Sequence, residues 1–85
     1  MMYEIILSNE AKKQLANLNG DHKRKIASVL ERIKFRPYKF IKRLYNSKYY
    51  RLRVDNFRII LDIQDAQLII YVIEIGDRRN IYRKY

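Results

Sequence analysis

The chain has 85 residues, 48% apolar and 33% charged, with 19 Lys and Arg against 9 Asp and Glu for a formal net charge of +10. That balance excludes an intrinsically disordered segment, fits one small globular domain over residues 1–85, and calls for a polyanionic or acidic partner, with nucleic acid first and an acidic protein second. With no Cys and a single His, a disulfide framework is excluded and a zinc site has little to be built from, so neither metal nor other cofactor is expected.

The first ten residues, MMYEIILSNE, carry no basic segment ahead of the short apolar run and no small-residue cleavage site, so no signal peptide is expected. No apolar run approaches the ~18 residues that span a bilayer. The expected location is the cytoplasm, without a membrane partner. Tyr3 to Leu7 reads as a short strand rich in β-formers. Ser8 or Asn9 then caps a helix over residues 9–18, in which Ala11, Leu15 and Leu18 fall on one face. Asn19-Gly20 is expected to end it, with Gly20 in the left-handed conformation that closes many helices. Asp21 caps a second helix with an apolar stripe of Ile26, Val29, Leu30 and Ile33, stopped near Phe35 by Pro37. The short break between the two implies an antiparallel helical hairpin. His22 falls in an exposed first turn beside Lys23 and Arg24, with no nucleophile or metal partner nearby, and reads as a surface residue.

Residues 36–48 are the least regular. They are expected to form a loop and a short edge strand, with Phe40, Ile41 and Leu44 covering the core. Arg36, Lys39, Lys42, Arg43 and Lys48 interleave with aromatics there and extend an electrostatic footprint for phosphates. Tyr49 to Ile63 reads as two strands around a tight Asp55-Asn56 turn. Gln64 to Gln67 turn the chain into Leu68–Gly76, a near-continuous apolar run and hence a central strand ended by Gly76. The order of elements gives an α+β fold: an N-terminal strand, a helical hairpin on one face of a mainly antiparallel four- to five-stranded sheet, and a short basic C-terminal tail.

The Tyr49–Ile63 hairpin carries the chemistry. Tyr50, Leu52 and Val54 point one way, and Tyr49, Arg51 and Arg53 the other. With a two-residue turn, Val54 pairs with Phe57, Arg53 sits opposite Arg58, and Arg51 lies diagonal to Arg58. Like charges directly opposite in a sheet are destabilising. Two readings follow: an anionic ligand such as a phosphodiester relieves the repulsion, or the long side chains splay apart into water. No Gly-rich phosphate loop, no Ser-His-Asp set and no carboxylate cluster for two-metal chemistry is present.

The segments Tyr50-Arg51-Leu52-Arg53-Val54, Phe57-Arg58-Ile59-Ile60 and Ile75-Gly76-Asp77-Arg78-Arg79 with Tyr82 resemble the RelE/ParE superfamily of toxins from toxin–antitoxin systems, in its RelE branch. The resemblance spans the whole chain, including its length, the order of its elements and the Pro after the second helix. It implies a ribosome-dependent endoribonuclease that cuts mRNA in the ribosomal A site and a RelB-type antitoxin that neutralises it. By position, Arg51 and Arg53 match two basic residues that are lysines in the best-known members. Arg58 matches the Arg that contacts the scissile phosphate, Arg78 the Arg after the last strand, and Tyr82 the C-terminal Tyr that stacks on the substrate base or helps activate the nucleophile, with Tyr85 as the alternative. Lys42, Arg43, Lys48, Arg79 and Tyr85 are expected to bind RNA.

The implied reaction is attack of the RNA 2′-OH on the adjacent phosphate, leaving a cyclic phosphate and a free 5′-OH. Arginines at 51 and 53 can stabilise the developing charge but are poor proton carriers near neutrality. Proton transfer then falls to Tyr82, to the RNA or to the ribosome, and RNA free in solution is expected to be cut poorly. Two alternatives stand beside this reading: a ParE-like toxin that inhibits gyrase by protein contact, and a non-catalytic basic nucleic-acid-binding module.

Overall fold

A computed structural model of the protein describes residues 2–77. The elements run β1 (Glu4–Leu7), α1 (Asn9–Ala16), α2 (Gly20–Ile33), α3 (Pro37–Phe40), β2 (Ile41–Arg43), β3 (Tyr50–Val54), β4 (Phe57–Gln64) and β5 (Ile69–Asp77). The strands make one five-stranded sheet in the order β1-β5-β4-β3-β2. Its pairs are antiparallel except β1 with β5, which run parallel from Glu4↔Ile69 to Leu7↔Val72. The α+β architecture expected from the sequence is present, and the basic tail lies outside the described residues.

Both helices bury the stripes read from their spacing. Ala11, Ile26, Leu30 and Ile33 join Leu52, Val54, Ile59, Leu61, Ile70, Val72 and Ile75 in one core, with Leu15, Leu18 and Val29 packed against it. The helix boundaries differ from expectation. Ser8 caps α1, its Oγ accepting from the Ala11 N–H at 3.0 Å. The helix then ends at Ala16, with Asn17 still right-handed. Gly20 is not a left-handed cap, since no described glycine has positive φ; it is the first residue of α2. Asn19 rather than Asp21 is the N-cap, accepting from the His22 N–H at 2.9 Å. Asn and Asp cap equally well, so spacing alone does not choose between them.

Residues 36–48 contain a turn of helix that the sequence reading lacked. Pro37 opens α3, where its fixed φ suits the first helical position, and it is buried. The turn brings Tyr38 to Asp65, whose carboxylate accepts from Tyr38 Oη at 2.7 and 2.9 Å and from Tyr3 Oη at 2.7 Å. These bonds hold Asp65 below its usual pKa. Burial, then the Asp65 bond, pushes the Tyr38 phenol up, and the Asp65 bond raises Tyr3. Phe40 does not cover the core and is 40% exposed, because α3 turns it outward and leaves Ile41 as the residue that pairs with Leu52 and is buried.

The last strand does not alternate evenly. Ile70, Val72 and Ile75 all face the core, which a regular strand cannot arrange. The register shifts between Ile60, which pairs with Glu74, and Leu61, which pairs with Val72, so Ile73 is an extra residue. The preceding segment and α1 satisfy the irregular backbone: Ser8 Oγ donates to the Ile73 carbonyl at 2.7 Å, and Gln14 Oε1 accepts from the Ile75 N–H at 2.6 Å. Gly76 does not end β5; it pairs with Arg58, and the strand runs on to Asp77.

Candidate nucleic-acid interface

The hairpin of β3 and β4 closes through the expected two-residue turn, with Asp55 at φ 54°. Its position is set from α2. Lys25 Nζ lies 2.6 Å from Asp55 Oδ1, and His22 Nδ1 lies 3.9 Å from Asp55 Oδ2. The His22 ring packs edge-on against Phe57 at 4.9 Å. The only histidine is thus half-buried between a helix and the hairpin turn, and serves to dock one on the other.

The register read from the turn is the one observed: Val54 pairs with Phe57 and Arg53 with Arg58. The neighbouring pair adds a second like-charged couple, Lys42 opposite Arg51. Alternation places Leu52, Val54 and Ile59 against the helices and all four cations on the other face, against which no helix packs among the described residues. The arginines do not all splay into water. Arg53 and Lys42 are exposed and Arg51 is half-buried, but Arg58 is only 1% exposed.

One residue of this face was not singled out in the sequence. The β5 bulge turns Glu74 away from the helices, into the row Lys42–Arg51–Ile60–Glu74 beside the row Arg53–Arg58–Gly76. Glu74 is 6% exposed, and it and Arg58 are the buried charged residues of the described chain. Regular alternation from Val72 would have put Glu74 in the core. The one signal available was its charge, which is incompatible with that position.

Arg43 and Lys48 stand apart from this face. Arg43 points to the helix side of β2, its guanidinium 6.0 Å from the Tyr50 ring and its Nε donating to the Ser47 carbonyl at 2.8 Å. Lys48 belongs to the loop between β2 and β3, with Nζ 5.3 Å from the Tyr49 ring. Arg78, Arg79, Tyr82 and Tyr85 lie outside the described residues. The structure therefore brings together Lys42, Arg51, Arg53 and Arg58 from the expected set. Of these, Lys42, Arg51 and Arg53 keep accessible surface, where cations can hold a phosphodiester and stabilise charge developing on it, whereas Arg58 is enclosed. No group of His, Cys, Asp and Glu able to hold a metal ion occurs among the described residues, and no described helix is long and apolar enough to cross a membrane.

Comparisons with known proteins agree with this architecture. Among solved structures, the archaeal RelE–RelB complex from Pyrococcus horikoshii OT3 contains a chain that superposes with a TM-score of 0.81 at 21% identity, over 94% of this chain and 99% of that one. The isolated E. coli RelE toxin gives 0.75 at 17% identity, over 96% and 93%. A YoeB/ParE toxin from Agrobacterium tumefaciens gives 0.76 at 12% identity, over 87% and 96%. At these identities the likeness is one of fold. No curated protein matches the sequence. The family model described as the ParE toxin of type II toxin–antitoxin systems matches residues 5–82. The chain therefore belongs to the ParE toxin family of type II toxin–antitoxin systems, within the RelE/ParE superfamily.

Proposed function

We propose that this toxin is a ribosome-dependent mRNA endoribonuclease of the RelE type, acting in the A site and held inactive by a RelB-type antitoxin. The observation that carries the reading is the pairing of Arg53 with Arg58 beside Lys42 with Arg51 on one face of the sheet. Two directly opposed like-charged pairs weaken a sheet, and an RNA phosphate is the ligand that turns them into favourable contacts. A toxin acting only through protein contact has no need of them. Arg58, 1% exposed in the structure, would have to be uncovered to contact the scissile phosphate; Arg51 and Arg53 would stabilise the charge that develops as the 2′-OH attacks, and Arg78 would add to them. Tyr82 would stack on the base or carry the proton. Guanidinium groups do not exchange protons near neutrality, so the chemistry depends on a substrate already held in an attacking geometry, which the ribosome supplies. An antitoxin partner is supported by the RelE–RelB complexes of similar fold, and a basic face of this kind suits an acidic segment laid over it.

The test is cleavage of mRNA on programmed ribosomes against the same RNA free in solution, with wild type and Arg58→Ala. Cleavage confined to the ribosome and lowered ~10²–10³-fold in the variant is expected. Because Arg58 is buried, the variant's far-UV circular dichroism must match wild type for the loss to count. The second reading, inhibition of gyrase by protein contact, starts from the match to the ParE family model. Intact mRNA together with blocked supercoiling would establish it in place of the nuclease.

A further inference from the structure

The loop between β2 and β3 holds an aromatic ring that the fold does not use. Tyr45 is 97% exposed, so it buries almost no surface on folding. The turn does not require it either, since the left-handed position is occupied by the next residue, Asn46, at φ 54°. Yet the loop is well braced. Leu44 N–H donates to the Tyr49 carbonyl at 2.9 Å, Tyr49 N–H to Ser47 Oγ at 3.0 Å, and Arg43 Nε to the Ser47 carbonyl at 2.8 Å. Around it lies an open concavity of about 530 Å³ lined by Arg43, Leu44, Asn46, Ser47 and Lys48. Two cations, an amide and a hydroxyl line it, and among the described residues no carboxylate does.

We infer that this loop is a second RNA subsite, which holds an unpaired nucleotide with its base on Tyr45 and its phosphate between Arg43 and Lys48. The inference rests on the nuclease reading for the identity of the ligand as RNA. An exposed aromatic face beside cations is the usual platform for single strands, because every base offers a face to stack and every linkage a charge. The placement also fits. Along β3 the Arg53–Arg58 row is four residues from Tyr49, or ~13 Å at the rise of a strand, with the Lys42–Arg51 pair between them. A single strand running from the central arginines passes the Lys42–Arg51 pair and rounds the edge strand β2 to reach Arg43 on the helix side and Lys48 in the loop. The nucleotide bound there belongs either to the mRNA flanking the cleavage point or to an unpaired segment of ribosomal RNA.

The experiment measures binding of the full chain and of Tyr45→Ala, Tyr45→Phe and Lys48→Gln to three probes: a 2′-O-methyl single-stranded RNA that cannot be cut, the same sequence as a duplex, and ribosomes without mRNA. Tyr45→Ala is expected to weaken single-strand binding about tenfold, the scale of one lost stack. Tyr45→Phe should retain it, Lys48→Gln should weaken it and flatten its salt dependence, and duplex binding should not respond to Tyr45. A loss on the oligonucleotide alone assigns the subsite to mRNA; a loss on empty ribosomes assigns it to ribosomal RNA. Unchanged affinity of Tyr45→Ala for both single strand and ribosomes would overturn the inference, as would an equal loss on duplex. Binding is read without cleavage, so the two readings fail separately. Tyr45-dependent binding with no cleavage anywhere would refute the nuclease and keep the subsite. Arg58-dependent cleavage with a silent Tyr45 would do the reverse.

Discussion

The two faces of the β3–β4 hairpin are made by the same few residues and obey opposite rules. Toward the helices, Leu52 pairs with Ile59 and Val54 with Phe57, and each contact removes apolar surface from water. On the other face Arg53 meets Arg58, and one strand over Lys42 meets Arg51, contacts that cost free energy in an isolated sheet. The register is therefore chosen by the buried face and imposed on the charged one. A slip by one residue would turn Leu52, Val54 and Ile59 out of the core, so the like-charged pairs cannot escape each other by sliding. A strong constraint on one side thus holds like charges opposite each other on the other, where the buried Glu74 shares the face.

Substitutions on each side should separate these contributions. The largest change is expected on the buried face. Ile59 is fully buried, and Ile59→Ala should lower the unfolding free energy by ~2–5 kcal/mol through lost transfer energy and the cavity left behind. Urea denaturation should then show a lower midpoint, with any loss of activity following unfolding. On the charged face the sign reverses. Arg53→Glu replaces a like-charged pair by an opposite one and should raise stability by ~0.2–1 kcal/mol, while ribosome-dependent cleavage is lost. A variant both more stable and inactive would set the two faces apart most clearly; a less stable one would mean that Arg53 does not repel Arg58.

The smallest expected effect lies away from both faces and changes only toward the extremes of pH. Asp65 has a lowered pKa in the fold, so the stability it contributes is complete above the ordinary carboxylate range and is lost as the pH falls through the lowered value. Tyr38 and Tyr3 are raised, so theirs is complete below the usual phenol value of 10.0 and is lost as the pH rises beyond it. Asp65→Asn should flatten the acid wing of a plot of stability against pH. In the same variant the phenolate absorbance of Tyr38 should develop at lower pH than in wild type, although burial still holds it up.

What the sequence made legible, and what it concealed, follows from how local each cause is. The hairpin register could be read because a two-residue turn fixes it from Asp55 and Asn56 alone. The helix stripes could be read because Ile26, Leu30 and Ile33 repeat at helical spacing. The start of α2 was misplaced because Asn19 and Asp21 are both competent caps. The one-turn helix at Pro37–Phe40 was hidden because it carries no side-chain cap and is held partly by Asp65, distant in sequence. The bulge at Ile73 was hidden for a different reason. In a run that is apolar on both sides, no break in alternation marks the extra residue, and the partners that satisfy it are Ser8 and Gln14 at the other end of the chain. With the bulge unseen, Glu74 could not be assigned to the basic face. The burial of Arg58 was equally out of reach, because the pairing predicts who faces whom but not how much water remains.

The parallel pairing of β1 with β5 has a consequence for how the protein is made. Residues 4–7 are synthesised about 65 residues ahead of their partners, residues 69–72. At ~5–20 residues per second, the N-terminal strand waits several seconds without its mate, an unsatisfied edge in a sheet whose other described strand pairs are all between neighbours in sequence. Closing a loop of that length is the slowest kind of contact to form. The sheet is thus completed only after residues 69–72 have emerged from the ribosome, and until then the nascent protein is a target for any helper able to lend it a strand.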